Sequence, residues 1–166
     1  MILLTHAIAG AALGRLTPKN LFISFSLGFV SHFILDAIPH KTYSLKSYQR
    51  NSKDPMKNDM AFNKNFIRDL FFMALDLGLG FIISVYFFQG AKGFFNPSWP
   101  LIFGALGGVT PDALQFLYFK FRKEPLLSLQ KFHNFIDSET SSVFIGYLTQ
   151  LIVIIILVSL SKILGP

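Results

Sequence analysis

Long apolar stretches alternate with short polar ones along the 166-residue chain. Five of them approach the roughly 20 apolar residues that a membrane-spanning helix requires. They are, approximately, Ile2 to Leu16, Leu21 to Pro39, Asp69 to Gln89, Pro100 to Phe119 and Ser142 to Leu164. The first stretch is short, whereas the last is the most apolar and holds a single amide, Gln150, in its interior. The pattern predicts an all-α protein, a polytopic transmembrane bundle of about five helices.

One longer polar segment, at about residues 41–68, separates the second stretch from the third. It contains Asp54-Pro55 and shows no sustained apolar periodicity, which is typical of a water-exposed loop. The chain shows no internal repeat, so we predict a single integral membrane domain over residues 1–166 that carries this polar loop.

The composition agrees with membrane residence. Hydrophobic residues make up 52% of the chain and charged residues only 14%, with a mean hydropathy of +0.50, whereas about a quarter of the residues in a soluble domain are charged. The chain has no cysteine, which excludes disulfides, zinc–thiolate sites and a cysteine nucleophile. A metal site would therefore consist of histidines and carboxylates.

The net charge of +6 comes from basic residues that lie mostly in two polar loops rather than along one helix face. This distribution favours contact with anionic lipid headgroups over binding of nucleic acid. With five crossings, eleven basic residues fall on the N-terminal side: Lys41, Lys46, Arg50, Lys53, Lys57, Lys64, Arg68, Lys120, Arg122, Lys123 and Lys131. The other side carries Arg15, Lys19, Lys92 and Lys162. The positive-inside rule then predicts an inner-membrane protein with its N-terminus and basic loops in the cytoplasm.

Several ionisable residues lie in or beside the apolar stretches, where they are costly and mark a functional site or a paired contact. They are His6, His32, Asp36, His40, Asp76, Asp112 and, in the last loop, His133. Counted from the basic face at about 1.5 Å per residue, the aspartates and His32 lie roughly 5–12 Å inside their segments. The shared depth predicts one site close to the cytoplasmic surface.

The second stretch carries the most informative pattern, because His32, Asp36 and His40 are spaced at i, i+4 and i+8. Such residues share one face of a helix, and Pro39 is expected to end or bend that helix just before His40. Two imidazoles that flank a carboxylate suit zinc or a similar divalent ion. We therefore expect ligating atoms of His6, His32, Asp36 and Asp112 within about 5 Å of one point, given metal–ligand bonds of about 2 Å.

Simpler roles stay open for other residues. Asp76 could pair with Arg68 or cap a backbone group, and His133 is either an interfacial residue or a ligand. Asp69 and Asp137 are most simply helix-terminal residues. Glycines at four-residue intervals, Gly10 and Gly14 in the first stretch and Gly104 and Gly108 in the fourth, predict close helix packing that would bring the candidate ligands together.

Three short motifs resemble the membrane-bound metal-dependent hydrolases, a family similar to zinc-dependent phospholipase C. They are Thr5-His6-Ala-Ile-Ala-Gly10, Ser31-His32-Phe-Ile-Leu-Asp36-Ala-Ile-Pro-His40 and Gly108-Val-Thr-Pro-Asp112. The resemblance implies a helical bundle in which His6, His32, Asp36, His40 and Asp112 bind one or more zinc ions and phosphoester bonds are hydrolysed. The third motif continues as Ala-Leu-Gln, without a second acidic residue, and His133 is the only histidine that follows it.

The leading hypothesis is a zinc-dependent phosphoesterase whose partners are membrane lipids and whose substrate is a lipid or a lipid-linked phosphate. Asp112 or Asp76 would serve as general base, and Lys41 with the basic loops would hold the phosphate. The rival hypothesis is a non-catalytic membrane protein, a small transporter or assembly factor, with a structural or regulatory metal. Transport sites usually lie near the midplane and need polar access to both faces, whereas the non-cytoplasmic halves of these stretches are almost wholly apolar. The pattern gives no indication of oligomeric state.

Overall fold

The computed structural model of the protein describes residues 1–17 and 20–165, so Lys19, counted above among the basic residues, lies outside the described residues. The described chain is mostly helical, as predicted. Its α-helices are α1 Leu3–Arg15, α2 Leu21–Asp36, α3 Lys64–Gln89, α4 Trp99–Phe121, α5 Leu126–Ile136 and α6 Val143–Leu164. Short 3-10 turns occupy Pro55–Lys57 and Ala91–Phe94, and strands β1 Tyr48–Gln49 and β2 Asp59–Met60 pair antiparallel within the polar segment.

Helix α1 lies in the middle of the helical bundle, because α2, α3, α4 and α6 all pack against it. Its inner positions are alanines, and Ala7, Ala9 and Ala11 are completely buried. Small side chains allow neighbouring backbones to approach closely. The first predicted segment is therefore a buried core helix and not a lipid-facing one.

Glycines let three backbones meet along α1, which confirms the predicted close packing. A Cβ atom on Gly10 or on Gly28 of α2 would overlap the carbonyl of Gly104 in α4, and one on Gly108 would overlap the carbonyl of His6. Helices α1, α2 and α4 are thus held in direct backbone contact, and each of them carries candidate ligands.

Two helices, α3 and α6, are long and apolar enough to cross a membrane, while α2 is apolar but has only 16 residues. The outer faces of α3 and α6 leave large apolar side chains exposed, among them Phe71, Leu79 and Ile155. Helix α3 begins at Lys64, five residues before the predicted stretch, because the side chain of Asn63 caps its first turn by accepting a hydrogen bond from Asn65 N.

Helix α5 was not predicted, since its residues were assigned to a loop. It has only 11 residues, two of which, Gln130 and His133, are buried. A search for apolar stretches of about 20 residues cannot detect a short helix of this kind. The helix is important here because it places His133 over the ends of α2 and α4.

Candidate metal centre

Side chains from six parts of the chain converge where α1 begins and α2 ends. We call this cluster the centre; its members are His6 of α1, His32 and Asp36 of α2, His40 after α2, Asp112 of α4, His133 of α5 and Asp137 after α5. Only Asp112 and Asp137 have appreciably exposed side chains, at 22% and 42%. The centre is therefore closed on the protein side and opens past these two carboxylates.

Asp36 is the hub of the centre. Its Oδ1 atom lies 3.2 Å from His6 Nε2 and 3.6 Å from His40 Nε2. Its Oδ2 atom lies 3.1 Å from His32 Nε2 and 2.9 Å from His133 Nε2. One buried carboxylate is thus surrounded by the Nε2 atoms of four imidazoles, and the amino group of Met1 also contacts it.

The structure brings together the four residues that were expected to converge. His6, His32 and Asp36 offer atoms that lie within 4.8 Å of one another. Asp112 forms a neighbouring group with His32 and His133, and its Oδ1 is 3.8 Å from His32 Nε2. A third group joins Asp36 to His40 and Asp137.

Backbone carbonyls fix the orientation of two of the imidazoles. His32 Nδ1 lies 2.9 Å from the carbonyl oxygen of Gly108, and His40 Nδ1 lies 2.9 Å from that of Ile38. A carbonyl only accepts hydrogen bonds, so each Nδ1 carries the proton and donates it. In a neutral ring the Nε2 lone pair then points at Asp36, which is the arrangement of a histidine prepared to bind a metal.

His6 is the member of the centre whose polar atoms have no hydrogen-bond partner. It is completely buried, and neither ring nitrogen forms a hydrogen bond, although Nε2 lies 3.2 Å from Asp36 Oδ1. Its ring stacks on that of His32 with centroids 3.9 Å apart. Buried polar atoms without partners are rare and cost about 1–3 kcal/mol. A metal ion that accepted the Nε2 lone pair would remove the part of that cost that belongs to Nε2.

The spacing of the candidate ligand atoms is compatible with a bound metal ion. A tetrahedral ion with bonds of about 2.0–2.1 Å holds its ligands about 3.3 Å from one another. The separations from Asp36 to His6, His32 and His133 range from 2.9 to 3.2 Å, and His32 Nε2 lies 3.3 Å from His133 Nε2. Buried His and Asp groups at these separations could hold a metal ion.

His40 reaches the centre from the segment that follows the end of α2 rather than from a face of that helix. Helix α2 ends at Asp36, and the backbone of His40 then accepts a hydrogen bond from Thr140 N at 2.8 Å and donates one to Ser138 O at 3.2 Å. The predicted break at Pro39 is confirmed, and it turns the imidazole inward.

Helix α5 positions His133, and the residue that follows this helix was missed as a site residue. The ring of His133 packs edge-on against Phe33, and its Nδ1 lies 3.4 Å from Gln115 Nε2. Asp137 is a helix-terminal residue, as predicted, although the helix that it ends, α5, was not predicted, and its Oδ1 also lies 3.2 Å from His40 Nε2. The available signal was its position four residues after His133, which places both at the same end of one helix.

Asp76, a candidate base and ligand, lies elsewhere. Its Oδ2 accepts hydrogen bonds from Leu4 N at 2.8 Å and from the Tyr43 hydroxyl, which confirms the alternative that it caps a backbone group. Burial and the hydrogen bond to Asp76 raise the pKa of Tyr43 above its ordinary value, so the phenol stays protonated and donates. Arg68, the other partner considered for Asp76, pairs with Asp69 at 3.2 Å. This leaves Asp112 as the candidate base.

Lys41, expected to hold phosphate, is paired within the protein. Its Nζ donates to Glu139 at 3.1 Å, and Arg50 approaches the other oxygen of Glu139 at 3.3 Å. The two cations and the carboxylate tie the polar segment to the chain that follows α5, beside Asp137.

No family model, curated protein or solved structure matches the chain. The functional argument therefore rests on the geometry of the centre.

Proposed function

We propose that this protein is a polytopic membrane hydrolase that uses zinc to cleave a phosphoester bond in a membrane lipid or lipid-linked substrate. The observation that carries the proposal is the convergence of four imidazole Nε2 atoms on the buried carboxylate of Asp36; three of them, from His6, His32 and His133, lie close to the separations that a tetrahedral ion imposes. The three motifs that resemble the membrane-bound metal-dependent hydrolases add to this support.

The residues of the centre would have different roles in the reaction. Asp36, His6, His32 and His133 would hold the ion, while His40 and Asp137 extend the ligand set on the Oδ1 side of Asp36. Bound zinc would lower the pKa of a coordinated water towards neutrality and polarise a phosphoryl oxygen. Asp112 forms no hydrogen bond within residues 1–17 and 20–165 and is partly exposed, so it can accept a proton from a bound water.

The position of the centre fits a substrate at the membrane surface. It lies at the end of α2 that leads into the polar segment, close to Lys41 and Arg50. Lipid phosphates occupy the level where spanning helices end. A headgroup would approach past Asp112 and Asp137, the two exposed members of the centre.

The same proposal includes five crossings, made by α1, α2, α3, α4 and α6, with the N-terminus and the basic loops in the cytoplasm. The exposed apolar faces of α3 and α6 and the basic polar segment support it. Because the chain lacks cysteine, single cysteines can report the topology. In intact inner-membrane preparations, an impermeant maleimide should label Ser52→Cys and Lys92→Cys from opposite sides. Labelling of both from one side would contradict five crossings.

Elemental analysis tests the metal directly. Detergent-purified wild-type protein, prepared at neutral pH without chelator, should contain stoichiometric zinc, and a His32→Ala/Asp36→Ala double variant should contain none. Equal metal content in both proteins, or none in the wild type, would overturn the proposal.

Release of phosphate or of a phosphorylated headgroup from a panel of lipids then separates catalysis from a structural role. The rival function, a non-catalytic membrane protein with a structural metal, is favoured by one observation: His6, His32 and His40 are each at most 1% exposed. Under that function, zinc would be present and Asp112→Ala would change no rate. Under the proposed function, Asp112→Ala abolishes turnover while zinc remains bound.

A further inference from the structure

A second group of polar side chains surrounds the first turn of α1, next to the centre. An α-helix begins with backbone N–H groups that have no partner inside the helix. In α1 these groups are inside the bundle, out of reach of water at Met1 and Leu3, which are 5% and 7% exposed. Three side chains satisfy them, and they come from three different elements. We call Asp76, Tyr43 and Gln150 together the clamp.

Asp76 and Tyr43 hold one side of the turn. Asp76 Oδ2 accepts from Leu4 N, and the Tyr43 hydroxyl accepts from Leu3 N, both at 2.8 Å. The Tyr43 hydroxyl in turn donates to Asp76. A carboxylate at this end also interacts favourably with the helix dipole. This side therefore fixes the axial position of α1, and His6 lies two residues after Leu4.

Gln150 of α6 holds the other side and reaches further. Its Oε1 accepts from Ile2 N and from Thr5 Oγ1, each at 3.1 Å. Its Nε2 donates to the carbonyl of Lys41 at 2.9 Å. One amide thus joins the turn that precedes His6 to the residue that follows His40.

Helix α6 supports the His40 side by packing as well. A Cβ atom on Gly146 would lie 2.7 Å from Lys41 N and 3.0 Å from the carbonyl carbon of His40. Thr149 Oγ1 donates to Pro39 O at 2.5 Å. The backbone that carries His40 is therefore pressed against α6 on the turn of the helix that bears Gln150.

We propose that the clamp positions the metal ligands: Gln150, with Asp76 and Tyr43, fixes His6 and His40 beside the Oδ1 atom of Asp36. The inference rests on the proposed function. It gives a role to Gln150, the one amide inside the most apolar span, and to Asp76, which the centre does not use. Residues behind metal ligands commonly change metal affinity by 10–100-fold when they are removed.

The test is the zinc dissociation constant of full-length protein in detergent, measured with zinc alone against a competing chelator dye. Gln150→Leu keeps the size of the side chain and removes both hydrogen-bonding groups. We expect it to weaken zinc binding about 10–100-fold. Gln150→Glu keeps the acceptor for Ile2 and Thr5 and should lose less. Asp76→Ala should weaken binding in the same direction.

Ser161→Ala is the matched control. Ser161 is a buried polar residue of the same helix that donates to Ala12 O at 2.9 Å, at the opposite end of α1. Its loss should lower the melting temperature without changing zinc affinity. If Gln150→Leu behaves in the same way, with affinity within twofold of wild type, the clamp is only structural and the inference is overturned. Wild-type protein that binds no zinc would instead overturn the proposed function itself.

Discussion

The centre and the clamp are adjacent groups of buried polar side chains that differ in one property. In the clamp, backbone N–H groups, a phenol, an amide and a carboxylate satisfy one another at 2.8 to 3.1 Å. In the centre, His6 has no hydrogen bond and four imidazoles crowd one carboxylate. Both groups cost free energy to desolvate; hydrogen bonds within the protein recover this cost throughout the clamp, whereas in the centre the two nitrogens of His6 recover none of it. The difference indicates that the clamp is complete within the protein, whereas the centre is a group of residues that could hold a metal ion.

Under the proposed function, removal of zinc should give the largest change in stability and should separate the centre from the clamp most clearly. A ligand that binds only the folded state at 1,000 times its dissociation constant adds about 4 kcal/mol to the free energy of unfolding. We expect a strong chelator to lower the melting temperature of the wild type and to leave that of His32→Ala/Asp36→Ala unchanged. An equal shift in both proteins would show that the chelator acts elsewhere.

Asp76→Ala should cost stability whether or not zinc is present. The substitution leaves Leu4 N without its acceptor and the Tyr43 hydroxyl without its partner, and such losses cost about 1–3 kcal/mol. Denaturation of the metal-free protein measures the change. A metal-free variant as stable as the wild type would mean that the clamp is not satisfied as described.

In the metal-free protein, His6→Leu should change the free energy of unfolding in the opposite direction to Asp76→Ala. Leucine fills a similar volume and removes two unsatisfied nitrogens, so stability should be unchanged or higher by about 1 kcal/mol. With zinc added, the variant should lose most of the metal-dependent stabilisation. A clear loss of stability without metal would place His6 among structural residues, with Asp76.

Asp137→Asn should cause the smallest change in zinc affinity and stability of these substitutions. Its carboxylate lies 3.2 Å from His40 Nε2 but is 42% exposed, so water partly replaces what is lost. We expect zinc affinity to fall severalfold and the melting temperature of the metal-free protein to stay the same. A fall as large as that caused by His32→Ala would instead make Asp137 a principal ligand.

Local spacing was sufficient to predict part of the centre. His32 and Asp36 meet because residues four apart lie on one face of a helix, and Pro39 ends that helix so that His40 turns inward. The glycine intervals likewise predicted the contact of α1 with α4. These features depend only on helix geometry, which is readable from one segment at a time.

Other features depend on packing between distant segments and could not be read in this way. Asp76 and Asp112 occupy similar positions in their apolar stretches, yet Asp76 meets the start of α1 and Asp112 faces His32. Only the burial of α1 inside the bundle decides between these roles. Asp137 reached the centre through α5, a helix too short for its apolar pattern to be distinguished from a loop.

The most direct test of the central claim is X-ray absorption at the zinc edge of the purified protein. The geometry predicts four or more nitrogen and oxygen ligands at about 2.0–2.1 Å, with the scattering pattern of at least three imidazoles, and a reduced imidazole contribution in His133→Ala. A spectrum without imidazole ligands, or one that His133→Ala leaves unchanged, would contradict the account.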